Sequence, residues 1–187
     1  MKKSNKKSKL VSLIIINYNG KNDTLEFLKS LRRTTYPNYE IIVADNASID
    51  GSVEAIKKNF PYVKIVRNKK NLGATGGKNA GFRKSKGDYI VVLDNDMFAH
   101  QPNWLSELVR TAESDKRIGI VGTVLLDYYD PSIILAYPQK KIEDVKDVGA
   151  SLIKQEVIDR IGLFDEKMFH YFEDSDFCFR AKKAGYR

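Results

Sequence analysis

Cysteine is almost absent. Cys178 is the only one, which excludes a disulfide framework within the chain and fits a reducing compartment. Long hydrophobic runs are missing too. The longest near the start, residues 10–16, is broken by Ser12, whereas a bilayer span needs about 20 apolar residues. It also lacks a small-residue cleavage site, so a signal peptide is not expected despite the basic start. Histidine is scarce, and neither His100 nor His170 has a partner at metal-ligand spacing. Acidic residues are missing from two stretches: residues 1–10 carry five lysines and no acid, and residues 55–87 carry ten basic residues and no acid. The whole chain is only +8, so the remainder is net acidic and the charge is polarised. Such a basic block suits phosphates, anionic lipid or nucleic acid, and equally a solvated lysine surface. No stacking-aromatic motif accompanies it, which weighs against nucleic acid.

What is present is enough apolar material, 42% of 187 residues, for the core of one domain. Residues 1–9 read as a disordered basic leader and residues 10–187 as a single domain. β-rich runs at 10–16, 39–44, 62–66, 89–93 and 118–124 alternate with helical periods at 23–33, 51–59, about 77–86 and 102–113. In the first helix Leu25, Leu28 and Leu31 share a face, with Asn22 or Asp23 as the expected cap. This alternation predicts an α/β fold built on a parallel sheet with right-handed crossovers. Residues 127–146 read as an irregular excursion, 149–162 as a strand end followed by a helix, and 174–184 as a last helix. Cys178 lies on the apolar side of that helix with Phe177 and Ala181 and reads as core.

In an open parallel sheet, ligands bind beyond the carboxyl ends of the strands. The exits are polar here: Asn17-Tyr18-Asn19-Gly20, then Asp45-Asn46-Ala47-Ser48, then the glycine-rich Asn71-Leu72-Gly73 through Lys78-Asn79, then Asp94-Asn95-Asp96. Two carboxylates at i and i+2 after a very apolar strand suit a hard cation such as Mg²⁺ or Mn²⁺; turns are also rich in Asp for local reasons. The glycine loop matches neither common phosphate fingerprint, yet a glycine-rich turn entering a helix offers backbone N–H groups to an anion. The cluster Glu173-Asp174-Ser175-Asp176 opens a helix. Acids favour helix N-termini, but three in four residues exceed capping needs, and a general base is the functional alternative.

These motifs, with Gly162-Leu163-Phe164-Asp165-Glu166 and Tyr171-Phe172-Glu173-Asp174, resemble in their order those of glycosyltransferase family 2. The rhamnosyl- and galactofuranosyltransferase-like members are the most similar. The resemblance implies a GT-A fold: a Rossmann-like, mostly parallel central sheet with helices on both faces. It implies inverting transfer from a UDP- or dTDP-linked sugar to a saccharide or lipid-linked acceptor, with Mg²⁺ or Mn²⁺, in cell-surface polysaccharide or glycoconjugate synthesis. Asn17 and Tyr18 match positions near the base, and Asp45 the carboxylate that meets the pyrimidine ring. Asn19, Asn46, Ser48, Asn71, Gly73 and Asn95 lie in the same donor-binding motifs, and Lys78 and Asn79 match the ribose and diphosphate region. Asp94 and Asp96 match the metal–diphosphate motif. Asp174 matches the catalytic base, with Glu173 and Asp176 beside it on the acceptor side. Relatives usually continue beyond the Glu-Asp helix, so a domain truncated at its C-terminal end is expected. That keeps a nucleotide-sugar-binding module without turnover as the alternative; a nucleotidyltransferase fits less well, because its basic glycine signature is missing after the first strand. A cytoplasmic location with peripheral contact to an anionic membrane completes the expectation.

Overall fold

A computed structural model describes residues 8–123, 125–126, 134–136 and 148–187. Along the chain run β1 (Val11–Asn17), α1 (Lys21–Leu31), β2 (Tyr39–Asp45), α2 (Ser52–Asn59), β3 (Lys64–Arg67), α3 (Gly73–Phe82), β4 (Tyr89–Asp94), α4 (Trp104–Ser114) and β5 (Ile120–Gly122). Then come β6 (Leu125–Leu126), β7 (Ile134–Ala136), β8 (Ser151–Lys154), α5 (Gln155–Ile161) and α6 (Glu173–Lys183). Six strands form one sheet in the order β3-β2-β1-β4-β8-β5, and β6 and β7 pair separately.

The alternation of side chains along each strand decides the layers. Val11, Leu13 and Ile15 of β1 and Tyr89, Val91 and Leu93 of β4 point into one core, with Phe27, Leu28 and Leu31 of α1, Ile56 of α2 and Leu105 and Leu108 of α4. Ile14, Ile90 and Val92 point into the other, with Phe82 of α3, Val157 of α5 and Phe177, Cys178 and Ala181 of α6. Strands covered on both faces read as unbroken apolar runs because every position is buried. The expected α/β layering is therefore what the chain adopts, and the sheet is mostly parallel: β1 pairs parallel with β2 and β4, and β2 with β3.

The sheet departs from parallel pairing toward one edge. β8 lies antiparallel between β4 and β5, so the 118–124 strand is not the neighbour of β4. β8 is only four residues long, too short for its period to reveal a direction, and the stretch before it hid its return to the sheet. The last two residues of the expected leader are described. Ser8 and Lys9 are held by Asn38, Tyr36 and Tyr89, Lys9 donating to the Tyr89 hydroxyl at 3.0 Å. Residues 1–7 and most of the expected excursion lie outside the described residues.

The glycines read as a loop belong instead to α3. Gly76 and Gly77 are helical, and Gly76 N–H donates to the Leu72 carbonyl. Their purpose is proximity: a Cβ on Gly77 would sit 3.0 Å from Ile16 Cγ2, and one on Gly81 would sit 2.3 Å from Ile14 Cγ2. The helix lies against β1 with no room for a side chain. Gly81→Ala improves helix propensity by about 1 kcal/mol, but its methyl must displace a fully buried isoleucine, which costs about 1–3 kcal/mol. The net expectation is a lower urea midpoint with an unchanged slope; a rise in the midpoint would show that α3 does not press on Ile14.

Candidate functional site

The register of the sheet brings three strand exits level. Asn17 stands opposite Asp45, and Ile16 opposite Asp94. Asn17 is fully buried, and its amide is used to capacity. Its Nδ2 donates to Asp45 Oδ1 at 2.8 Å and Ser48 Oγ at 3.0 Å. Its Oδ1 accepts from Thr24 Oγ1 at 2.9 Å and Gly20 N–H at 3.3 Å. Ser48 N–H donates to Asp45 Oδ2 at 3.1 Å, and Asn19 N–H to Ser48 Oγ at 2.9 Å. Asn19 Oδ1 in turn accepts from Ile49 N–H. Asn95 joins β4 to this seam, its Nδ2 reaching Thr24 Oγ1 at 3.2 Å and the Gly20 carbonyl at 3.3 Å. A Cβ on Gly20 would lie 2.0 Å from Asn95 Nδ2, so only glycine admits that contact.

The cap of α1 differs from the expectation. Neither Asn22 nor Asp23 caps it: the N-cap is Gly20, with no side-chain bond. Lys21 N–H instead donates to Asp50 Oδ2 at 2.8 Å, and Ser52 donates to Asp50 Oδ1 through both its N–H and its hydroxyl. Burial works against the Asp50 charge, but these bonds outweigh it and hold the carboxyl below its usual range. Asp50-Gly51-Ser52 closes the same motif that Asp45 opens, but the motif reading gave Asp50 no role; the Asp-Gly-Ser turn after a strand is the signal that could have found it.

Asp45, expected at the pyrimidine ring, is interior here: it is 0% exposed and serves as the internal acceptor for Asn17 and Ser48. Asn46 is likewise interior, donating to the Gly73 carbonyl at 2.9 Å and accepting from Asn68 at 2.8 Å. Exposed at this edge are Tyr18, Asn19, Asp94 and Asp96. Asn71 Oδ1 accepts from Gly73 N–H. Gly73 has φ +70°, and a Cβ there would lie 2.1 Å from the Phe169 carbonyl oxygen, so the aromatic loop after α5 rests on the start of α3. In that first turn Thr75 is buried with no hydrogen-bond partner for its hydroxyl among the described residues.

The α3 and α6 residues also fall differently from the expectation. Lys78 does not point to open space for a diphosphate. It is buried, its ammonium 2.6 Å from Asp174 Oδ1 and 3.0 Å from Glu173 Oε1. Burial disfavours that ammonium, but the charges and bonds of Asp174 and Glu173 prevail and raise its pKa above the ordinary lysine value. Burial likewise pushes Glu173 up, and the bond and charge of Lys78 more than reverse it, leaving the carboxyl below its usual range. Asn79 is taken up by the loop after α5: it donates to the Phe164 carbonyl and Glu166, and accepts from Phe164 N–H at 3.1 Å. Glu173 and Asp176, expected on the acceptor side, are both committed elsewhere. Glu173 faces Lys78, and Asp176 accepts from Arg180 Nε at 2.7 Å. That guanidinium reaches on to the Ile161 and Leu163 carbonyls, tying α6 to the end of α5. Arg180 and Thr24 carried no motif signal.

Among the described residues no three His, Cys, Asp or Glu side chains converge as a metal site. Asp94 and Asp96 fit a cation that takes only one or two protein carboxylates and completes its shell with substrate phosphates and water, as Mg²⁺ does.

Comparison with known proteins agrees with the fold. The profile described as Glycosyl transferase family 2 matches residues 12–164. An uncharacterized glycosyltransferase of Haemophilus influenzae is 32% identical over 112 residues, 60% of this chain and 37% of that protein. The undecaprenyl-phosphate 4-deoxy-4-formamido-L-arabinose transferase of Pseudomonas fluorescens is 31% identical over 140 residues, 71% of this chain and 40% of that protein. The chain thus spans well under half the length of these two relatives. A mannosyltransferase of Pyrobaculum calidifontis, solved with GDP-Man and Mn²⁺, superposes with a TM-score of 0.79 at 23% identity, covering 95% of this chain and 53% of that one.

The Asn17 seam yields a sharp test. Asn17→Asp sets a second carboxylate against the buried one of Asp45 and removes the donors that Asp45 and Ser48 now receive. The expected cost is about 3–5 kcal/mol near neutral pH, the scale of an uncompensated buried charge. Because like charges favour uptake of one proton, the deficit should narrow toward about pH 4. Urea unfolding across that range checks it, and a deficit that does not change with pH would refute the Asn17–Asp45 contact.

Proposed function

The chain belongs to glycosyltransferase family 2, and from that membership we propose that it transfers a sugar, with inversion, from a UDP- or dTDP-linked donor. The acceptor is a saccharide or a lipid-linked saccharide, in cell-surface polysaccharide or glycoconjugate synthesis; rhamnosyl and galactofuranosyl donors come first. One observation carries the reading. Two exposed carboxylates, Asp94 and Asp96, leave β4 beside the Asn17 seam, where they can meet a substrate cation.

The donor lies along the carboxyl edge of β1, β2 and β4. Tyr18, half exposed there, stacks on the base. Asp94 and Asp96 would hold Mg²⁺ or Mn²⁺, and the cation would offset the negative charge that develops on the leaving group. Asp174 takes the proton of the acceptor hydroxyl. The acceptor oxygen forms its bond to the anomeric carbon as the bond to the diphosphate oxygen breaks on the opposite face, and a single displacement inverts that centre. The five lysines of residues 1–10 suit an anionic membrane surface, where a lipid-linked acceptor resides. Among the described residues no helix is long and apolar enough to cross a membrane.

The alternative reading is donor binding without turnover. Calorimetry and a transfer assay separate the two. UDP or dTDP should bind more tightly with Mn²⁺ than with chelator, and Asp94→Asn or Asp96→Asn should abolish the difference; equal affinity with and without metal refutes the metal role. Asp174→Asn should leave donor affinity nearly intact and lower transfer roughly 10²–10⁴-fold, the usual weight of a general base. Metal-dependent binding with no transfer by the parent chain selects the binding module.

A further inference from the structure

Of the ten basic residues between 55 and 87, Lys78 alone is buried. A lysine is rarely buried without a counter-charge, and Lys78 has two: Glu173, as deeply buried as itself, and Asp174, whose side chain is 23% exposed. The ammonium also lies 5.1 Å from the centre of the Phe164 ring. One cation between two carboxylates leaves the trio formally negative. The N-terminus of α6, where both acids lie in the first turn, offsets part of that charge. His170 is the remaining titratable group acting on Glu173.

The trio joins two unlike parts of the molecule. α3 is fixed to the sheet by the close approaches at Gly77 and Gly81. α6 is entered through Tyr171 and Phe172, with φ +70° and +65°, a conformation that bulky residues adopt at a cost of about 1–3 kcal/mol each. Phe172, the N-cap, makes no side-chain capping bond. The Lys78 ammonium adds a tether to the first turn of α6 from outside the helix. Glu173 anchors the ammonium below the surface, and the ammonium grips Asp174 at the surface.

We propose that Lys78 is a positioning residue for sugar transfer, holding the Asp174 carboxylate and the first turn of α6 in a fixed place against α3. This rests on the reading of Asp174 as the base. The work of Lys78 is to give the carboxylate one orientation toward the acceptor and to favour its ionised form, as a cation at this distance does. Its reach toward the donor is blocked by the same two bonds, so it acts on the reaction through Asp174.

Lys78→Met keeps the length of the side chain and removes its charge. Carboxyl ¹³C NMR of the 187-residue chain, with Glu173→Gln and Asp174→Asn spectra for assignment, follows both acids through their titration. The Glu173 and Asp174 midpoints should rise in Lys78→Met by about 1–3 pH units. In a transfer assay the acidic limb of kcat/KM should move up in the same direction while donor KM holds, and Lys78→Arg should recover part of the turnover. A structural role alone would lower the rate at every pH without moving the limb. Unmoved midpoints overturn the proposal whatever the activity. Moved midpoints without turnover in the parent chain uphold the grip on Asp174 and count against the transferase reading alone. If Lys78→Met does not fold, Glu173→Gln serves: with the ammonium left to Asp174, the Asp174 midpoint should fall, and no change overturns the proposal.

Discussion

A carboxylate removed entirely from water is costly unless hydrogen-bond donors replace the solvent. Asp45 is in that position at the end of β2. Its two oxygens are met by Asn17 Nδ2 and Ser48 N–H. The first requires that β1 end level with β2, and the second that the chain turn back at once after Asp45. Asn17 must then place its own oxygen, and Thr24 and Gly20 take it, which sets where α1 begins. Asn95 closes the circuit from β4 onto the same Gly20–Thr24 pair. A single desolvated charge thus propagates through one amide into the relative positions of three strand exits and a helix. The exposed Asp94 and Asp96 inherit their place from it.

The second constraint is distance. With glycine at 77 and 81, α3 approaches β1 more closely than a helix carrying side chains could. That depth puts Lys78 beneath the surface, where an ammonium needs an anionic partner from elsewhere. α6 supplies two. The close packing of α3 and the acidic first turn of α6 explain each other: without the glycines Lys78 would reach water, and without the acids it would not tolerate burial. Asn79, the next residue, performs a neutral version of the same task by clamping the Phe164 backbone from both sides.

The pattern of alternating elements was legible because both strand faces are buried, so continuous apolar runs survive in β1, β2 and β4. The edge of the sheet was not, since a strand of only four residues carries no directional signal. Among the candidate site residues, the motifs gather at one edge of the sheet but blur two kinds of polar residue. Asn17, Asp45, Asn46 and Ser48 are interior groups that satisfy one another, whereas Tyr18, Asp94 and Asp96 face solvent. Sequence spacing cannot separate the two classes, because both follow a strand and both favour turns. The glycine stretch misled for a related reason. Glycine marks either a backbone that must bend or a backbone that must come close, and only Gly73, with φ +70°, is of the first kind there.

Charge counting shows where composition stops being informative. The basic stretch 55–87 suggested a phosphate-attracting surface, and nine of its ten cations are exposed. Two of these are already opposed, Lys64 by Glu40 and Arg83 by Glu166, and an exposed pair such as the second contributes at most about 1 kcal/mol. The tenth cation, indistinguishable from the others by count, is the one on which the arrangement of α6 turns. The difference is dielectric: the same pair of charges interacts far more strongly out of water than at the surface. A lysine two residues after Gly76 and one after Gly77 is drawn inward by the packing those glycines permit, and its partners must follow it.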